Sequence, residues 1–393
     1  MFGRKTDLAI INRSFWPVYP VIGEALLRFA EQQSEKKRIC VIMQDHGDIR
    51  SKLNEHERGT DVDFYPSKAW SVSGSGIFRR ILDSIFFMLW VLGVLIWTRP
   101  IKVYVSTDPP ILVPFIVMLY AKLFRATYVY HLQDIHPEAV NVVMPLNKWI
   151  YHILKYMDSS VMRNAESLIT ITGEMAEEIQ ERSETKSKIH ILSNPAVSFD
   201  GVSIPVIKKK GFTFCGNAGR LQRIPIIIDA INIYLGNGGK FDFVFAGGGV
   251  YVNALKDLAQ QYSNVNYLGV VPPDVAAQLN ADFEWALLPI EDEVTRYAFP
   301  SKSSSYVFSG AFVAAICGSQ TSVAQWVKGM ALGVVVKPDA KSLSDFFFDV
   351  ENNEVDVSAI DIDRLCLKEQ LAFDYFIKEL ENLVLNEGSL LEQ

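Results

Sequence analysis

Phe212-Thr213-Phe214-Cys215-Gly216-Asn217-Ala218-Gly219-Arg220-Leu221-Gln222-Arg223-Ile224-Pro225 reads as strand, loop and helix in one breath. Phe212 to Cys215 is an apolar run of strand length, and Pro225 opens an apolar stretch of helical length ending near Tyr234. Between them lies a glycine-containing loop with two arginines, at the point where a helix N-terminus offers free N–H groups to an anion. Oriented amides and fixed positive charge together suit a diphosphate, so Gly216, Asn217, Arg220, Gln222 and Arg223 become candidate ligand residues.

The same alternation extends both ways. Downstream, strands are expected at 241–246, 265–268, 285–288, 313–316 and 333–336, with helices at 252–261, 273–280 and 303–308, and polar helices closing the chain, among them 368–385. Upstream, strands are expected at 7–11, 38–43, 62–65, 103–106, 128–132, 168–171 and 189–192. Helices fall at 23–33, 77–98, 111–124, 146–165 and 173–181. Strands alternating with helices predict parallel sheets with crossover connections. At 393 residues the chain exceeds one ordinary core, so two α/β domains, each a doubly wound parallel sheet, are expected. The boundaries are 1–195, a linker at 196–211, a second domain at 212–370 and a C-terminal helix at 371–393. Lys208-Lys209-Lys210 reads as a solvated charge run in that linker. Ligands in such sheets bind outside the carboxyl ends of the strands, and a cleft between the domains is the expected site.

Composition narrows the function. A net charge of −7 argues against general nucleic-acid binding. The four cysteines have no metal-ligand spacing and read as buried thiols of a reducing compartment. Asp61-Val62-Asp63 and Asp361-Ile362-Asp363 are D-x-D triplets in positions unsuited to metal-dependent sugar transfer, and no metal or other cofactor is expected. There is no H-E-x-x-H, G-x-S-x-G or P-loop. No secretory signal opens the chain, so a cytoplasmic protein is expected. Ile85 to Trp97 is an uncharged apolar run preceded by Arg79-Arg80 and followed by Arg99 and Lys102. Its readings are a buried core helix, a segment that docks with its flanking bases on anionic lipid, or a span shorter than usual.

Two further loops carry candidate chemistry. Gly247-Gly248-Gly249 ends a strand before a helix, where only glycine lets a backbone approach a ligand closely. It fails as a dinucleotide fingerprint because Val252 stands at the third glycine position. Pro300-Ser301-Lys302 enters a helix, with a serine able to cap and a lysine beside free N–H groups.

Taken in order, these segments resemble the retaining glycosyltransferases of family 4, particularly their bacterial surface-polysaccharide branch. Gly216 to Gln222 is similar to the family's G-N-x-G-(K/R)-x-Q loop, Gly247 to Gly249 to its nucleotide loop, and Pro300 to Lys302 to its P-S-K segment. Gln133-Asp134-Ile135-His136-Pro137-Glu138 resembles a Q-D-x-x-P-E segment of the first domain, and Ser193-Asn194-Pro195 the turn that ends it. The resemblance covers nearly the whole chain. It implies a GT-B fold and metal-independent transfer, with retention, from a nucleotide-sugar donor held by the C-terminal domain. Arg220, Arg223 and Lys302 would stabilise the leaving diphosphate. The acceptor would be a polyprenyl-diphosphate-linked saccharide, reached by peripheral contact with the cytoplasmic face of the inner membrane. On the acceptor side Asp134, His131, His136 and Glu138 are the catalytic candidates, and Gly23 would offer backbone amides. The family commonly carries two glutamates seven residues apart, the second gripping the donor ribose; Tyr297 and Ser305 stand there instead. That departure keeps open an inactive homologue acting as a binding partner, beside a GT-B sugar-nucleotide epimerase.

Overall fold

The computed structural model describes residues 6–19, 21–71, 76–197, 199, 201–358, 360 and 364–385. It resolves into two compact units, one joining the chain up to Pro195 with Phe373 onward, the other Ala196–Ala372.

The first unit contains β1 (Leu8–Ile11), α1 (Ile22–Ser34), β2 (Ile39–Asp45), α2 (Ile49–Glu55), β3 (Asp63–Lys68), α3 (Ile77–Thr98), β4 (Lys102–Ser106) and α4 (Leu112–Phe124). It continues through β5 (Thr127–Leu132), α5 (Glu138–Val143), α6 (Lys148–Asn164), β6 (Ser167–Thr170), α7 (Gly173–Ser183) and β7 (Lys188–Ile191). All pairings are parallel in the order β3-β2-β1-β4-β5-β6-β7. Strands covered on both faces need continuous apolar runs, and β1 is buried at every position.

The second unit contains β8 (Lys209–Cys215), α8 (Ile224–Gly236), β9 (Asp242–Ala246), α9 (Val252–Gln261), β10 (Val265–Tyr267), α10 (Pro273–Asp282) and β11 (Phe283–Pro289). After these come α11 (Ser303–Ser309), β12 (Phe312–Ile316), α12 (Ser322–Gly329), β13 (Gly333–Val336), α13 (Ala340–Glu351) and α14 (Leu365–Gln370). Its parallel sheet runs β10-β9-β8-β11-β12-β13. Both sheets reverse direction beside their first strand, which sets a crevice at the carboxyl ends of β1 and β4 in one unit and of β8 and β11 in the other. The second core gathers Phe212, Phe243, Phe347 and Trp285 in edge-on and stacked contacts that add to burial.

Three expectations change. The closing helix α15 (Phe373–Leu385), expected as a separate and polar C-terminal helix, belongs to the first unit and has an apolar face. It buries Phe376, Leu380 and Val384 against α1 in the first unit's core. The lysine run divides: Lys209 and Lys210 open β8, stay exposed and pair with Asp282 and Glu284, whereas Lys208, just before the strand, is not solvated charge but donates its Nζ to the carbonyls of Ala281 and Ser309. The apolar run extends into α3, whose hydropathy and length would suffice to cross a membrane, yet only a third of that stretch is buried. The reading as a buried core helix is therefore overturned. Asp361-Ile362-Asp363 lies outside the described residues.

Candidate functional site

In the second unit the three candidate segments converge on one sheet edge. The amide of Gly216 donates to the Ala246 carbonyl at 2.7 Å, and that of Ala218 to the Gly248 carbonyl at 2.6 Å, so the loops after β8 and β9 lie against each other. Gly247 and Gly249 adopt φ of 132° and 134°, and a Cβ on either would strike the carbonyl of Gly216 or Ala218. Lys302 crosses the same spot. Its Nζ sits 3.6 Å from the centre of the Phe214 ring, and its aliphatic stem occupies the space that a side chain at residue 216 would need. No described acid pairs with it, and burial pulls its ammonium down to about 7, with the Cys215 thiol opposing weakly. Arg220 is exposed on the neighbouring loop with no described partner. Asn217 is exposed and Gly248 partly so, while Gln222 holds the loop by accepting from the Gly219 amide at 3.1 Å.

Arg223 behaves differently. It is buried, its Nε donates to the Ile290 carbonyl at 2.7 Å, and its guanidinium pairs with Asp292 at 2.9 Å and Glu291 at 3.1 Å. Asp292 also accepts from the Gly318 amide. Arg223 therefore ties the ends of β11 and β12 to the loop and has no free charge for a diphosphate, which corrects its expected role. Pro300 is partly buried and accepts from the Ser303 amide, but Ser301 caps nothing: Lys302 itself precedes the helix, without a side-chain cap. Ser305 is partly buried within α11.

In the first unit the crevice between β1 and β4 is bridged by Arg13 and Asp108, 3.0 Å apart, with the Ser14 amide donating to the same carboxylate at 2.8 Å. Thr107 Oγ1 accepts from the Gln133 amide at 3.0 Å and from the Asp134 amide at 3.4 Å, which staples the end of β5 beside Asp108. The Asp134 carboxylate accepts no hydrogen bond from a described residue. Burial, and then the neighbouring Asp108, push it up to about 6. His136 is held down to about 4 by burial and Arg182, and its buried Nδ1 has no partner among the described residues. A neutral imidazole and a poised carboxylate at a strand end can together bind and deprotonate a hydroxyl.

The other two acceptor-side candidates are structural. His131 is fully buried, 2.6 Å from the Tyr104 hydroxyl and stacked near Phe376, and desolvation drops its pKa to about 3. Glu138 is buried under Arg182 at 2.7 Å, with Lys155 at 3.2 Å, and Arg182 also grips Asp158. Gly23 is buried where a Cβ would meet the backbone of Phe15 and Trp16, so close packing accounts for the glycine without a ligand.

No family model matches the chain. It is 28% identical over 217 residues to a probable glycosyltransferase, WbjE, of Pseudomonas aeruginosa, a match that covers 50% of this chain and 52% of that protein. The chain thus spans about half the length of that curated relative. Solved structures align over nearly everything. HepE of Anabaena, in complex with UDP, superposes with a TM-score of 0.64 at 12% identity, covering 96% of this chain and 99% of that one. WaaG, a glycosyltransferase involved in lipopolysaccharide biosynthesis, gives 0.64 at 12% identity over 96% and 100%. The fold is GT-B.

Within this GT-B chain, sequence reasoning marked loops that the structure brings together in the second unit, and passed over two residues of the first unit's crevice. Asp108 and Arg13 sit in segments with no motif, and only their position just after β4 and β1 could have pointed to them. Among the described residues no group of three or more His, Cys, Asp or Glu is gathered as for a metal ion.

Proposed function

We propose that this protein is a nucleotide-sugar-dependent glycosyltransferase of cell-surface polysaccharide assembly. The observation that carries the reading is the meeting of the Gly216 and Gly247 loops with Lys302, which pairs with no described acid, at the carboxyl ends of β8 and β9. Backbone amides and a desolvated ammonium there suit the diphosphate that gains charge as the glycosidic bond breaks. Lys302 and Arg220 are the cations for it. In the first unit Asp134 is the group to take the acceptor's proton and His136 the group to orient its hydroxyl. The family resemblance and the half-length match to WbjE support sugar transfer, and the resemblance alone supports retention and independence of metal.

The acceptor in this reading is a polyprenyl-diphosphate-linked saccharide at the cytoplasmic face of the inner membrane. Support comes from α3, α4 and α6, which pack side by side. They expose Phe78, Leu89, Trp97, Leu123, Trp149 and Tyr156. The acids of these three helices are Asp83 and Asp158, both buried, whereas Arg79, Arg80, Lys122 and Lys148 are exposed. An apolar face with aromatic residues and uncompensated bases matches an anionic bilayer surface.

The test is a thermal-shift screen against UDP, GDP, CMP and dTDP, with and without EDTA. A rise with one of them that EDTA leaves untouched is expected. No rise with any would favour a chain that binds partners without a donor.

A further inference from the structure

The carboxyl ends of β2 and β3 border a concavity of about 470 Å³ lined by Asp45, His46, Gly47, Asp48, Pro66 and Lys68. The two acids are occupied locally: Asp45 accepts from the Gly47 and Ile49 amides, and Asp48 from Ser51. His46 and Lys68 are left facing outward and exposed. Partial burial and Arg13 keep the imidazole below its ordinary value, so at neutral pH it has one donor and one acceptor nitrogen. Tyr19 stands edge-on to it at 6.0 Å. Such a set, with hydrogen-bonding groups of both kinds beside an exposed aromatic ring, suits a carbohydrate.

The lining ends at Ala69, and the next residue along the chain, Trp70, packs on α3. Trp70, 44% exposed, stacks on Phe86 of α3 with ring centres 4.6 Å apart. Beneath it is Asp83, the one acid of α3, which is 1% exposed and accepts from Gln44 Nε2 at 2.9 Å, the amides of Trp70 and Ser71 at 3.2 Å each, and the Ser71 hydroxyl at 2.6 Å. An ionised carboxylate in an apolar helix is costly unless it is fully hydrogen-bonded. Here its bonds lock the ends of β2 and β3 onto the first turns of α3.

We propose that this concavity is the subsite for the carbohydrate of an amphiphilic acceptor. The acceptor's lipid leaves over Trp70 onto Phe78, Ile81 and Leu82, and Asp83 is the positioning residue that fixes pocket and apolar face to each other. The proposal rests on the lipid-linked acceptor of the proposed function. It is tested by transfer kinetics with two acceptors: a long-chain polyprenyl-diphosphate-linked sugar in phosphatidylethanolamine–phosphatidylglycerol vesicles, and the same sugar diphosphate on a short water-soluble alkyl chain. His46→Ala raises KM about tenfold for both acceptors, as loss of one hydrogen bond requires. Trp70→Ala raises it about tenfold for the long chain and leaves the short one near wild type. Asp83→Asn raises KM for the long chain while nucleotide binding stays normal, and donor KM is unchanged throughout. Wild-type turnover with unaltered acceptor KM in both His46→Ala and Trp70→Ala overturns the subsite alone. A wild-type protein that uses neither acceptor overturns the proposed function and the subsite with it.

Discussion

Replacing Lys302 by Met removes a charge while keeping the stem that packs over Phe214 and against Gly216. A charge-assisted contact to a donor phosphate contributes about 1.5–3 kcal/mol, so at about pH 6 the variant should bind its nucleotide sugar roughly 10- to 150-fold more weakly. The wild-type ammonium sits at about 7 in the free protein, and binding the diphosphate favours its charged form. Its affinity should therefore fall about tenfold per pH unit above that value, whereas Lys302→Met should be nearly flat. Stability moves the opposite way. The unfolded chain keeps an ordinary lysine at 10.5 and binds more protons than the native chain across the window from about 7 to 10.5. Wild-type stability thus rises with pH over that window and is lower beneath it. Titration calorimetry of a nucleotide sugar, whose bridging phosphates do not titrate near neutrality, and melting curves across the same pH range read both effects. Equal affinities for wild type and Lys302→Met at every pH would refute the assignment.

Arg223→Met should cost about 3 kcal/mol, because it strands Asp292 beside Glu291 in a half-buried site; a melting temperature several degrees lower with donor affinity within about twofold of wild type would confirm a structural role. Asp134→Asn should lower kcat by about 100-fold or more, and the wild-type rate should fall as pH drops through about 6, where the carboxylate is lost. A pH–rate profile without that acid limb would remove Asp134 from the mechanism. Ser305→Glu should tighten donor binding about tenfold by restoring a charged ribose ligand, read by calorimetry. Arg79→Glu with Arg80→Glu should release the protein from anionic vesicles in flotation, by about 1 kcal/mol per base removed and less in high salt, leaving neutral vesicles unaffected.

The strands were legible because a parallel sheet buried on both faces forces unbroken apolar runs, and β4, β9 and β12 fall where those runs lie. Helix α13 was harder to see, since Phe346-Phe347-Phe348 blurs its period and its start depends on Asp339 capping Ser342. The return of α15 to the first unit depends on contacts with α1, more than 300 residues earlier by sequence number, which no local pattern encodes. The candidate site divides the same way. Glycines and Lys302 announce themselves because a strand-to-helix turn gives them a readable reason. His131 and Glu138 lie within a few residues of Asp134, but strand direction sends one toward Tyr104, and Arg182 claims the other from a distant helix. Residue type marked the capacity for chemistry, and the partners that cancel it came from elsewhere in the chain.

The most direct test of the account is transfer itself. Purified protein is incubated with a panel of radiolabelled nucleotide sugars and inner-membrane vesicles carrying lipid-linked acceptors, in EDTA, and label in the organic phase is counted. The account predicts label from one donor, lost in Lys302→Met and Asp134→Asn. Label absent from the lipid phase with every donor, while a nucleoside diphosphate still binds the protein, would contradict it.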